Sequence, residues 1–258
     1  MLLHPIVARL AVGVALLSSI GLAGAPRPQQ NEPVTISVDD FRPLMRAIEA
    51  LENRFGWTVT YEEAPLLYRG DAVDVTAYRK VQDRTKPPLL APRGGPFTFV
   101  TSYSAGQSPM ELLEALLQQY HATGYPGVFR VLRTGDVFHV VLTMRKNAKG
   151  VLEAQQPLLD VPVTIADTER SAGGTMEAVL AEIRRTTGAS VYPGTTPLNL
   201  LGETRVQLGA TNESARGVLV KVLETTSRVT APPLKLSWKL MCSLSPSECF
   251  LNVDVVGK

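Results

Sequence analysis

The chain has 258 residues, 45% of them hydrophobic, with 26 Lys and Arg against 24 Asp and Glu and only two cysteines. This composition excludes a disordered chain, a collagen-like repeat and a disulfide-dense miniprotein. A net charge of +2 lacks the basic excess that is typical of nucleic-acid-binding domains, so we expect no nucleic acid partner. The length allows one large domain or two of ordinary size.

The first 25 residues have the pattern of a secretory signal peptide. One basic residue, Arg9, precedes an apolar run over residues 10–22, and residues 23–25 are small, as at a cleavage site. The alternative is an uncleaved membrane anchor, but the run is shorter than the ~20 residues of a spanning helix. We therefore expect a protein that is cleaved after Ala25 and exported, to the periplasm or the medium, without a transmembrane span.

The rest of the chain contains an internal repeat. The tetrapeptide Pro-Val-Thr-Ile occurs at residues 33–36 and again at residues 162–165. Downstream, a constant offset of 132 residues aligns apolar residues and glycines of the two segments. The aligned pairs include Leu44 with Met176, Ile48 with Leu180, Leu51 with Ile183, Gly56 with Gly188, Val59 with Val191 and Gly70 with Gly202. A duplication explains why one register holds over so many positions.

Each copy is predicted to begin with a strand, an amphipathic helix and a second strand. The predicted strands are residues 34–38 and 57–61 in the first copy and residues 161–165 and 189–192 in the second. Gly56 and Gly188 each stand where a left-handed C-cap of the intervening helix belongs. In the second copy, Thr175 is the expected N-cap of that helix.

A second helix and a hairpin complete each copy. Ser108 and Glu111 form a capping box before one apolar stripe, and the counterpart helix runs from about Ser214 to Thr225. The offset between these helices falls to 106 residues, so the first copy carries 26 extra residues between Gly70 and Ser108. In the first copy, the closing hairpin turns at residues 133–136.

The extra residues include a proline-rich insertion over residues 77–96. Its charged side chains are mostly basic: Arg79, Lys80, Arg84, Lys86 and Arg93 stand against Asp83 alone. An exposed basic loop could contact an acidic partner, lipid headgroups or a polysaccharide. The alternative is an ordinary solvated insertion.

Both cysteines fall on the apolar face of the last predicted hairpin. Cys242 alternates in phase with Trp238 and Leu240, and Cys249 with Leu251. Because an exported protein meets an oxidising compartment, we expect a disulfide between Cys242 and Cys249, with two free buried thiols as the alternative. Zinc is disfavoured because no His or further Cys lies nearby in the sequence, and we expect no cofactor or metal.

The order β-α-β-β-α-β-β, with a glycine closing the first helix and a final hairpin, resembles the short N-terminal domain shared by secretins and TonB-dependent receptors. The matching segments are residues 44–56 and 108–117 in the first copy and residues 176–188 and 214–223 in the second, each followed by its strands. The resemblance implies an α+β chain of two tandem domains, residues 33–146 and 157–258, each a small mixed sheet with two helices packed on it. It also implies domains that contact envelope partners.

Residues that could carry chemistry are few. Two histidines, His121 and His139, follow the predicted leader, and we expect both to be partly exposed structural residues. The acidic neighbours Glu62 and Glu63 could bind a cation, but we expect them to be solvated charges at a strand edge. The chain lacks the HExxH, GxxxxGK and GxSxG motifs.

The sequence therefore predicts a non-enzymatic exported protein that acts as a protein-protein interaction module of the bacterial cell envelope. Open sheet edges carry unpaired backbone groups, which can pair with an envelope partner or with a second copy of the chain. The alternative is an extracytoplasmic enzyme or glycan-binding protein with a site between the two domains, where ligand clefts often form.

Overall fold

A computed structural model describes residues 32–78, 88–104, 107–243 and 248–257 of the chain. Within these ranges the fold is α+β, as predicted, with five α-helices and thirteen strands. The helices are α1 (Pro43–Phe55), α2 (Pro109–Ala122), α3 (Ala172–Thr187), α4 (Leu198–Glu203) and α5 (Ala215–Arg228). The strands are β1 (Glu32–Asp40), β2 (Thr58–Glu62), β3 (Ala72–Asp74), β4 (Leu90–Pro92), β5 (Gly95–Tyr103), β6 (Val128–Thr134), β7 (Val137–Lys146), β8 (Leu152–Ala154), β9 (Pro162–Ser171), β10 (Ser190–Pro193), β11 (Arg205–Ser214), β12 (Leu236–Cys242) and β13 (Glu248–Val255).

The same local topology occurs in the first half (residues 32–146) and the second half (residues 157–257). In the first half, β2 is parallel to β7, and β7 is antiparallel to β6. In the second half, β10 is parallel to β13, and β13 is antiparallel to β12. Each half adds an antiparallel two-stranded sheet, β1 with β5 and β9 with β11. Strand β6 therefore corresponds to β12, and β2 corresponds to β10.

The two halves share one sheet, which corrects the expectation of a separate small sheet for each domain. Strand β12 pairs with β2 in parallel, placing Lys239 opposite Tyr61 and Leu240 opposite Glu62. The resulting order is β10-β13-β12-β2-β7-β6, with β8 as a seventh strand beside β7. The chain from Asn31 to Lys258 accordingly forms one compact unit.

The helices of the two halves cover opposite faces of this shared sheet. On β12, Trp238 and Leu240 belong to the second-half core, whereas Met241 packs against the first-half core. On β7, Phe138 belongs to the first-half core, whereas Val137 packs against the second-half core. Because successive side chains of a strand point to opposite faces, the helical layer changes sides between the halves.

The ends of the helices show which of the predicted helix caps form in the structure. Gly56 and Gly188 adopt the left-handed conformation after α1 and α3, with φ of 66° and 72°, as predicted. The prediction that Thr175 is the N-cap of α3 is wrong. The hydroxyl of Ser171 accepts a first-turn N–H instead, and the helix begins at Ala172, so Thr175 lies inside it.

The predicted leader lies outside the described residues, so its cleavage after Ala25 stays a prediction. Within the described ranges, no helix is both long enough and apolar enough to cross a membrane.

Candidate functional site: the strand junction and the outer sheet edges

A buried ion pair joins the two halves where β12 meets β2. The Lys239 ammonium lies 2.6 Å from the Glu52 carboxylate of α1, and both side chains are at most 5% exposed. Glu52 also accepts the Val59 N–H at 3.0 Å, while Lys239 donates to the Val59 carbonyl at 3.0 Å and to Ser237. Burial raises the pKa of Glu52, an effect that the Lys239 charge opposes.

A second buried ion pair lies next to this one along β2. Glu62 is 1% exposed; it bonds the Arg216 guanidinium of α5 and accepts the Leu159 N–H at 2.9 Å. Arg216 also donates to Asp160 at 2.9 Å. Burial raises the pKa of Glu62, and the charge of Arg216 opposes that rise. The expectation of a solvated strand-edge carboxylate is therefore wrong for Glu62, because the second half covers this face of β2.

Glu63 binds the end of β12. Its carboxylate accepts the Cys242 N–H at 2.6 Å and an N–H of Arg42 at 2.9 Å, and Arg42 also donates to the Cys242 carbonyl at 2.8 Å. The hydroxyl of Tyr61 donates to the other oxygen of Glu63. The expectation of a solvated charge is wrong here too, because Glu63 is 8% exposed. Its carboxylate takes the place of a backbone acceptor for β12.

The predicted disulfide closes the same end of the hairpin. Cys242 and Cys249 lie directly opposite each other on β12 and β13, and their sulfur atoms are 2.00 Å apart, at bonding distance. The bond fixes the strand end that Glu63 and Arg42 hold, so it supports the junction between the halves.

The two histidines differ in exposure. His139 is fully buried, with Nδ1 2.7 Å from the Thr60 hydroxyl and its ring stacked on Trp238. Burial, with a smaller contribution from the nearby charge of Arg216, lowers the pKa of His139 to about 3. The expectation of partial exposure is thus wrong for His139, because the second-half core covers this face of the sheet. His121 is partly exposed, as predicted.

The predicted basic contact loop is described only in part. Arg79, Lys80, Arg84 and Lys86 lie outside the described residues, so their role in binding stays a prediction. Arg93 lies within the described ranges; its guanidinium donates to the Gly124 carbonyl at 3.3 Å and lies 3.7 Å from the buried Asp71 carboxylate. Arg93 is therefore exposed but already engaged in contacts within the chain.

The outer edge at β10 has few groups that could pair with another strand. The Val191 carbonyl accepts a 2.7 Å hydrogen bond from Arg184 of α3. Pro193 has no N–H to donate. Thr195 turns back to β13, because its N–H bonds Asn252 and its carbonyl accepts the Val253 N–H at 2.9 Å. These features are typical of an edge protected against strand addition.

The outer edge at β6 is more open. The Phe129 N–H donates to Nε2 of His121 at 3.0 Å, so this residue directs its backbone groups away from β7. In an antiparallel pair, alternate residues share that direction, and Val131 and Arg133 therefore also direct their N–H and carbonyl groups outward. Among the described residues, none pairs with β6 on that side. The exposed side chains of Arg130 and Arg133 make this edge basic.

A cleft of about 290 Å³ lies between the halves, as the alternative function requires. The first half contributes Thr58, Asp136 and Val137 to its lining, and the second half contributes α5 and the start of β12. Trp238 lines the cleft, and its buried indole N–H has no partner among the described residues.

The described ranges contain no group of three or more His, Cys, Asp or Glu residues that could hold a metal ion. Comparison with known proteins adds no relative: no family model matches the chain, and no curated protein or solved structure does so either.

Proposed function

We propose that this chain is an exported, non-enzymatic interaction module of a bacterial cell envelope, and that it contacts a partner protein through the edge of its sheet. The observation that carries this proposal is the outer edge of β6, beside which no further strand lies in the part of the chain that the structure describes. Addition of an extended segment to such an edge is a common mode of protein recognition, since backbone hydrogen bonds supply much of the affinity. The leader sequence and the family resemblance support export and an envelope setting.

The internal junction supports the same proposal. Strand β12 adds to the edge of β2 although the two strands come from different halves of the chain. A half with this topology can therefore pair the edge of its sheet with a strand from outside that half. Because β2 and β12 are occupied by each other and β10 is protected, β6 is the outer edge of the seven-stranded sheet that fits an external partner.

A site-specific photocrosslinker tests the surface. We would place benzoylphenylalanine at position 133 on β6 and, as the matched control, at position 192 on the exposed side of β10, in intact cells of the source organism. We expect a defined protein adduct from position 133 and none from position 192. Equal adducts from both positions, or no adduct from either with the protein present in the envelope fraction, would contradict the proposal.

Fractionation tests the export. The mature protein should be found outside the cytoplasm with Pro26 as its first residue, as N-terminal sequencing would show. A chain that stays in the cytoplasm and retains Met1 would refute this part of the proposal.

The cleft supports a second candidate function, the binding of a small polar ligand such as a glycan. The unpartnered indole N–H of Trp238 is the specific observation that favours it. Titration with envelope glycan fragments, followed by the indole resonance of Trp238 in NMR spectra, tests it. Shifts at Trp238 with none at β6 would favour this candidate over the interaction module.

A further inference from the structure

We infer that the β6 edge binds an extended acidic segment of a partner protein, aligned parallel to β6, and that it does not accept a second copy of this chain. The inference rests on the proposed function, which makes β6 the binding edge, and adds the charge and the direction of the partner segment. The pairing of β12 with β2 inside the chain is our model for how a partner segment pairs with β6.

The repeat sets the correspondence between β6 and β12 residue by residue. Val131 of β6 lies across β7 from Tyr61, and Leu240 of β12 lies across β13 from Pro193. Tyr61 and Pro193 occupy the same position of the repeat, 132 residues apart. The corresponding pairs are therefore Arg130 with Lys239, Val131 with Leu240 and Arg133 with Cys242.

At the internal junction, the β12 edge receives one parallel strand and two carboxylates. The Leu240 carbonyl accepts the Glu63 N–H at 3.1 Å, and the Glu63 carboxylate accepts the Cys242 N–H. The second carboxylate, that of Glu52, pairs with Lys239. The segment that pairs with β12 thus supplies the Glu63 carboxylate itself, whereas the Glu52 carboxylate comes from helix α1 beside it.

The β6 edge presents the same backbone groups with more positive charge. Arg130 stands in the place of Lys239, and Arg133 stands in the place of Cys242. Both arginines are exposed, and guanidinium groups bind carboxylates in a bidentate fashion. Arg133 donates to the Gly135 carbonyl at 2.7 Å and lies 3.7 Å from the exposed Asp136 carboxylate, so a partner carboxylate would replace Asp136 there. By the same pairing, an occupant of β6 runs parallel to it and carries a carboxylate near Arg133, while Arg130 fits a second carboxylate of the partner in the place that Glu52 has beside Lys239.

A second copy of this chain does not fit this requirement. By the repeat, its β10 edge would take the place of β2, but Glu52 is replaced there by Arg184, Tyr61 by Pro193 and Glu63 by Thr195. Arg184 would face Arg130, and because Arg184 already pairs with Glu177 and bonds the Val191 carbonyl, it offers Arg130 no carboxylate and blocks one backbone acceptor. Pro193 also lacks the N–H that the neighbouring strand needs. The occupant is therefore a different protein.

A synthetic peptide with the sequence of residues 57–64 is a direct probe, because these residues form the strand that β12 binds internally. We would titrate the acetylated, amidated peptide into the isotope-labelled mature chain and follow the backbone amides by NMR. We expect shifts centred on Val131 and Arg133. Replacing the peptide glutamate that corresponds to Glu63 by glutamine should weaken binding at least tenfold, as should Arg130→Glu with Arg133→Glu in the protein. The control variant Arg185→Glu, on the exposed side of α3, should bind the original peptide unchanged.

A nitroxide at the peptide N-terminus reports the direction. A parallel peptide should broaden the amide of Val128 more than that of Thr134. Broadening centred on Thr134, equal binding of the glutamine peptide, absence of shifts at β6, or a β6-dependent dimer of the chain in sedimentation would each overturn the inference. If crosslinks from position 133 still identify a partner while the acidic peptide does not bind, the proposed function stands and the inference fails.

Discussion

The inner and outer edges of the sheet share backbone geometry but differ in charge. At the junction between β12 and β2, Lys239 meets Glu52 in a buried pair. At the outer edges the corresponding positions are Arg130 on β6 and Arg184 beside β10, so both are basic. Backbone hydrogen bonding differs at one of these edges, since Pro193 of β10 has no N–H to donate, but β6 and β12 present the same backbone groups. We infer from the comparison that a few charged side chains, with the missing N–H of Pro193, separate the inner edges from the outer ones, as expected where matched charges specify a partner.

Breaking the buried pair should have the largest effect. Lys239→Met leaves Glu52 buried without its cation, and removing one partner of a buried pair costs about 3 to 5 kcal/mol. The free energy of unfolding from urea titration measures this loss. The double variant Lys239→Met with Glu52→Gln should recover most of it, because no unpaired charge remains.

The control for this prediction is the exposed pair between Arg228 and Glu224 on α5. Its side chains are 77% and 47% exposed, so Arg228→Met should cost less than about 1 kcal/mol. Equal losses at Lys239 and Arg228 would show that burial of the junction charges does not matter for stability.

Acid should weaken the junction through His139. Because its pKa falls from about 6.5 to about 3 on folding, the unfolded chain binds a proton over that range while the folded chain does not. Stability from this group is therefore complete above pH 6.5 and is lost as the pH falls, by about 3 kcal/mol at pH 4.

Glu52 and Glu62 act in the opposite direction, since burial raises their pKa values and so favours the folded state at lower pH. The comparison must therefore be made against His139→Gln, which keeps the carboxylates and removes the titrating ring. The difference in unfolding free energy between the two proteins should change between pH 7 and pH 4. Parallel pH profiles would contradict the assignment to His139.

Loss of the disulfide should have a somewhat smaller effect. Replacing Cys242 and Cys249 by serine opens a loop of a few residues, for which loop entropy gives roughly 2.5 kcal/mol. Urea denaturation of the variant measures this loss, and mass spectrometry of unreduced protein tests the bond itself. Two thiols that become alkylated after denaturation without reductant would show that the bond is absent.

Local sequence patterns predicted the elements well, because their causes lie within a few residues. The capping box of Ser108 and Glu111, the glycine C-caps and the facing cysteines all formed as expected. Lys239 shows why the sequence did not predict the junction between β12 and β2. It alternates with apolar residues as a solvent-facing residue does, and its burial depends on Glu52, which lies 187 positions away.

One signal in the sequence could have pointed to the junction. At the offset of 132 residues, the acidic Glu52 aligns with the basic Arg184, a charge reversal inside an otherwise matching helix. A repeat whose buried positions agree and whose charge reverses at one site indicates that the two copies meet different neighbours there. The parallel register of β12 on β2 leaves no comparable trace, because backbone pairing carries no sequence information.

The smallest expected effect comes from giving β10 the side chains of β2. The triple variant Arg184→Glu, Pro193→Tyr and Thr195→Glu restores an N–H, supplies two carboxylates and removes the guanidinium that bonds the Val191 carbonyl. We expect weak head-to-tail association of copies, β10 of one on β6 of the next, seen as a concentration-dependent rise in sedimentation coefficient.

The matched control adds Arg130→Glu to the triple variant. It places a carboxylate opposite the one introduced at position 184, so like charges face each other again and the chain should return to a monomer. Because the pairing is head to tail, each added copy keeps one free edge unless a ring closes, so association should extend beyond the dimer as the concentration rises. A triple variant that stays monomeric at millimolar concentration would show that the charges alone do not separate the inner edges from the outer ones.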